Sequence, residues 1–163
     1  MLVVDVEKAA LCEFLDYQRA SVRAILADLD EIALRTSVLP SGWSPLGLVE
    51  HLGHAERHWF QEVFRGAAEP LPWPDENTPL RTTRPPPHVF AFYRDQCDIS
   101  DAIIAGAPLT AAPAGRHPDE TIASQTTDLR RIILHVIEET ARHAGHLDVV
   151  RELIDGRTGL GPR

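Results

Sequence analysis

Residues 133–150, ILHVIEETARHAGHLDVV, decide how this chain is read. Each residue of a helix advances about 100°, so Ile132, Val136, Val150 and Leu153 share one arc. Glu139 and His143 lie on that arc about 40° apart, and His146 falls about 20° to the other side of Glu139. A carboxylate and an imidazole aimed into an apolar stripe are costly unless they are paired or bound to a metal. An E-x-x-x-H pair one helical turn apart brings two lone-pair donors to one point, as a metal site requires. The pattern predicts a helix over about 127–155, with Asp128 near its start and Gly156 as its C′ residue.

Three further helices follow by working outward. Leu11, Leu15, Gln18, Val22, Ile25, Leu29 and Ile32 recur at spacings of 3 and 4, which predicts one long helix over about 5–36, broken by Pro40, Ser41 and Gly42. A second runs from about 44 to 65, with Ser44 as N-cap, Pro45 in the first position and Gly66 past the end. Its apolar face is Leu48, Leu52, Ala55, Trp59 and Val63. A third spans about 88–106, offers Val89, Phe92, Tyr93, Ile99, Ile103 and Ile104 to the core, and stops at Gly106 and Pro108. Between the second and third lie seven of the thirteen prolines. Residues 67–87 are therefore a strap and not a helix, with Trp73 available to pin it down. Residues 107–125, rich in Ala, Pro, Gly and Thr, read as loop. With no β alternation and no repeat, the expected fold is all-α: an antiparallel four-helix bundle with a long Pro-rich crossover, one domain over 1–163.

Composition narrows the function. A chain of 163 residues is long enough for one sizeable core, and its net charge of −8 gives no purchase on nucleic acid or on an anionic membrane surface. No stretch reaches the roughly 18 apolar residues of a bilayer span, and the N-terminus lacks a basic segment followed by an apolar one. Cys12 and Cys97 are far apart and in no CxxC pattern, so a disulfide framework is not expected and the cytoplasm is the expected location.

Six of the eight histidines fall in two helices: His51, His54 and His58 in the second, His135, His143 and His146 in the fourth. His51 sits at the margin of the apolar face, His58 further out and His54 further still. Geometry therefore picks His51 as the core-facing histidine of the second helix, a choice that is not decisive because the ends of that arc shift with packing. A single core-facing histidine is more often a hydrogen-bonded core residue than a ligand; two clusters facing one core favour a shared metal. His135 and His146, taken singly, read as surface residues or as neighbours that orient ligands. His88 and His117 lie in loop-like sequence and take no role, and Asp148 with Arg151 reads as a surface ion pair.

WSPLGLVEHLGHAERHWF (43–60) and LHVIEETARHAGHLDVVRELIDG (134–156) resemble the DinB/YfiT-like superfamily of metal-binding four-helix bundles, closest to the mycothiol-dependent maleylpyruvate isomerase-like branch. The resemblance covers most of the chain, with its specific motifs in the second and fourth helices. It implies that His51, Glu139 and His143 hold a divalent metal, often zinc or nickel. Many members carry His at the position of Glu139, and the Glu version resembles the thiol-dependent isomerase branch. Where many relatives have Gln, this chain has His146, which is either a catalytic acid or base or a fourth ligand that would close the site. The resemblance further implies a metal-dependent enzyme using a low-molecular-weight thiol such as mycothiol, a transferase or isomerase acting on a small molecule, and a homodimer. A hydrolase using a metal-bound water, or a bundle stapled by a structural metal, would use the same ligands.

Overall fold

α1 (Val6–Leu26) lies along α6 (Leu129–Asp155), and α3 (Pro45–Arg57, continued by a π-helical stretch His58–Phe64) lies along α4 (Pro86–Ala105). Short helices α2 (Glu31–Arg35) and α5 (Glu120–Gln125) occupy two of the connections. The structure is a computed structural model describing residues 6–67 and 80–160, and these residues contain no strand. The strap predicted at 67–87 falls largely outside them, with Trp73.

Side-chain contacts set the direction of each helix. Glu7 pairs with Arg130 at one end of the α1/α6 pair, and Arg151 donates to the carbonyls of Ile25 and Ala27 at the other, so the two run parallel. Glu50 pairs with Arg84 just before α4 and Gln61 bonds to Gln96, so α3 and α4 are also parallel. The two pairs oppose each other: along α3, His51 meets Glu139 and Trp59 meets the earlier His135. α3 and α4 are parallel and follow one another among the long helices, so the chain between them has to run back along the bundle.

Two apolar clusters fill the bundle. One gathers Leu15, Phe60, Ile104 and Val136, the other Val22, Leu52, Tyr93 and Leu147. Where α1, α4 and α6 pass from one cluster to the other their residues turn polar: Arg19 on α1, Ser100 and Asp101 on α4, Glu139, Thr140 and His143 on α6. The bundle thus has a polar level at mid-height. On one side Arg19, 2% exposed, donates through Nε and a terminal nitrogen to both oxygens of Glu56 at 2.7 and 2.8 Å and reaches Asp101 at 2.7 Å. The candidate site occupies the other side.

The sequence pattern is corrected at several points. The first helix ends at Leu26, because Asp28 takes a left-handed φ of 65° and Asp30 starts α2 by accepting from Ala33 N–H. Leu34, not Ile32, is then buried, and Ile99 and Leu153 are exposed. α5 forms where a loop was expected, its first turn capped by Asp119. The third helix begins at Pro86, whose missing N–H costs nothing in a first turn. Arg151 is no surface residue: it is 1% exposed and pairs with Asp155 instead of Asp148. Ser44 and Asp128 are N-caps, and Gly156 ends α6 with φ 77°.

The corner that carries α3 is a close approach of two backbones. Ser44 N–H donates to Leu80 C=O at 3.0 Å, and a Cβ on Gly47 would run into that carbonyl. Gly47→Ala should therefore lower stability by about 1–3 kcal/mol in thermal melts. Gly145→Ala, on α6 with open space around the new methyl group, should instead raise it by about 0.5–1 kcal/mol.

Candidate metal centre

α3 and α6 present one donor group after another to the gap between them. Ser44 and Pro45 start α3 in register, which sets His51 on the turn facing α6. His51 Nε2 lies 3.2 Å from Glu139 Oε1, and the His51 and His143 rings stand edge to face with centroids 5.1 Å apart. One donor atom from each of His51, Glu139 and His143 falls within 4.8 Å of the others. Ligands about 2.1 Å from a tetrahedral ion stand roughly 3.4 Å apart, so small side-chain movements would close the set on an ion.

The electrostatics suit a cation. Burial alone would raise the Glu139 carboxyl, but the imidazoles of His135 and His51, helped by His143, overcome it and hold the group far below the usual carboxylate range. Burial, then the field of His51, pushes His143 down to about 4, so at neutral pH its ring is uncharged and has a lone pair to offer. His143 Nδ1 is buried without a hydrogen-bond partner among the described residues. Such an orphan is costly in a purely structural histidine and is accounted for where the ring serves an ion.

The other predicted histidines separate. His146 is exposed and outside the converging group; its ring lies 5.6 Å from that of His143 and 6.4 Å from Trp43. His54 packs against Phe92 toward α4, its centroid 5.0 Å away, and does not face α6. His58 was expected further out but is buried beside Trp59 and His117, with Nδ1 2.7 Å from Glu62 Oε2. His135, read from sequence as a surface residue or a neighbour that orients ligands, approaches Glu139 Oε2 at 3.6 Å and packs on Trp59. His117 stacks flat on Trp59, 5.2 Å between centroids. The i,i+4 spacing in H-x-x-x-E-x-x-x-H over 135–143 could have flagged His135; nothing local marks His117, which the fold alone brings in.

Neither cysteine belongs to this centre. Both are free, lining the groove between α1 and α4, and burial first, then nearby carboxylates, push both thiols up, Cys97 most strongly.

No described helix is long and apolar enough to cross a membrane. No curated protein and no solved structure matched the chain. The family model described as mycothiol S-transferase matches residues 10–156, which takes in all of α3, α4 and α6, α1 apart from its first turn, and both halves of the centre. The chain therefore belongs to the mycothiol S-transferase family.

Proposed function

We propose that the protein is a divalent-metal-dependent transferase that joins a low-molecular-weight thiol of the mycothiol kind to an electrophilic small molecule. The observation that carries this reading is the convergence of His51, Glu139 and His143 with His146 left outside. His51, Glu139 and His143 would hold the ion, and two imidazoles with one carboxylate suit zinc or nickel. When bound, the metal supplies Lewis acidity that lowers the pKa of a neighbouring thiol.

The chain's own residues do the rest. The thiol has to be brought in, because burial keeps Cys97 and Cys12 protonated. His51 and His143 bring no negative charge and Glu139 brings one, so a divalent ion held by them keeps net positive charge for an anionic sulfur. His146, at the rim beside His143, accepts the thiol proton as the sulfur bonds to the electrophilic carbon; the group displaced from that carbon leaves with the bonding electron pair and takes up a proton from the imidazolium or from water. Trp43 walls that side. The reading takes the chain as one bundle domain working in the cytoplasm, where thiols are kept reduced.

A hydrolase would use the same three ligands and turn over without thiol. A structural staple would need a fourth protein donor, and the position of His146 speaks against it. The test is His146→Ala in metal-loaded protein. It should keep the metal while thiol-dependent kcat/KM falls about 10²- to 10⁴-fold. Loss of the metal with His146 would make it a ligand and favour the staple. Full turnover without thiol would favour the hydrolase.

A further inference from the structure

Glu139 is held from two sides. Its Oε1 faces His51 at 3.2 Å, inside the converging donor set, and its Oε2 faces His135 Nε2 at 3.6 Å, just beyond hydrogen-bond length. His135 lies one turn before Glu139 on α6, so the same helix that presents the carboxylate also presents its second neighbour. The His135 ring is itself fixed. It packs on the Trp59 indole with centroids 4.3 Å apart, and Trp59 is 3% exposed, its ring stacked by His117 at an interplanar angle of 12°. The π-helical stretch that begins at His58 carries Trp59 into this position.

We propose that His135, braced by Trp59, is a positioning residue that occupies Oε2 of Glu139 and so limits the carboxylate to one donor oxygen for the metal. The inference rests on the metal-centre reading above. Its consequence is a coordination position left open for the incoming thiol. A carboxylate free to turn would offer both oxygens to the ion and take up that position. An imidazole within reach of the far oxygen prevents this, and partners of this kind also set ligand basicity and orientation. His135 touches neither thiol nor electrophile in this scheme; it acts through Glu139.

The experiment compares full-length wild type, His135→Ala and His135→Gln by zinc titration against a competing chelator and by the visible spectrum of the cobalt-substituted proteins. Melting of the metal-free proteins runs alongside. His135→Ala is expected to weaken zinc binding by about 10- to 100-fold. Its cobalt bands should weaken and shift to shorter wavelength, as they do when coordination number rises. His135→Gln, whose amide N–H can still reach Oε2, should restore most of both readouts. A residue that only packs on Trp59 would lower the melting temperature of the metal-free protein and leave the cobalt spectrum of the folded protein unchanged, which would overturn the proposal. Zinc binding in His135→Ala as tight as in wild type would also overturn it. Absence of zinc binding in wild type would be a different failure, removing the centre and with it this role.

Discussion

His143→Ala is expected to abolish stoichiometric zinc binding and, with it, the rise in melting temperature that zinc confers on the wild-type protein. A ligand bound only by the folded state stabilises it by RT ln(1 + [L]/Kd), about 2.7 kcal/mol at a hundred times Kd. Wild type should gain that much on adding zinc and lose it again on adding a chelator. His51→Ala and Glu139→Gln should behave like His143→Ala, because each removes one of three converging donors. Loss of a direct ligand should exceed the roughly 10- to 100-fold that loss of an orienting partner costs. The metal-free variants should stay folded, since the donors lie between two apolar clusters that hold without them. Isothermal titration with paired melting curves checks both halves. A His143→Ala protein that still bound one zinc with wild-type affinity would remove His143 from the centre.

The second large effect lies across the same level of the bundle. Arg19→Met should destabilise the protein by about 3–5 kcal/mol, since it leaves Glu56 as an uncompensated buried charge. Both side chains of the pair are 2% exposed and joined by two hydrogen bonds. Asp16 and Asp101, the other partners of Arg19, are more than half exposed and return to water at little cost. For a chain of this length the loss corresponds to a drop in melting temperature of roughly 6–20 °C. Arg19→Met combined with Glu56→Leu should recover most of it, because an apolar pair of similar volume avoids the desolvation that both charges carry. A double variant as unstable as the single one would show that the level depends on the charges themselves.

How much of this was legible in the sequence follows from which features are local. Helix starts at Ser44 and Asp128 and the stop at Gly156 are short-range signals, and each stands where the pattern put it. The inward turn of Glu139 and His143 is a property of one helical period, and so was visible. The break after Leu26 was not, because the apolar spacing continues through Leu29 and Ile32. What ends α1 is a left-handed Asp28 and an arginine 126 positions away that takes the carbonyl of Ile25. The same distance in sequence hid the burial of Arg151 against the carbonyls of Ile25 and Ala27, although its ion-pair partner Asp155 stands only one turn on. His58 was misplaced because what covers it is its contact with Glu62 and its packing beside Trp59 and His117, which a helical wheel does not report. His117 reaches Trp59 only through tertiary packing, which no periodicity reports.

The claim that the centre takes up a thiol is tested most directly by adding mycothiol to the cobalt-substituted wild-type protein and recording the near-ultraviolet spectrum. Direct binding of sulfur to the ion predicts a new sulfur-to-cobalt charge-transfer band that saturates at one equivalent and is absent when His143→Ala is treated in the same way. A cobalt spectrum that mycothiol leaves unchanged, in protein shown to hold one cobalt per chain, would contradict the account.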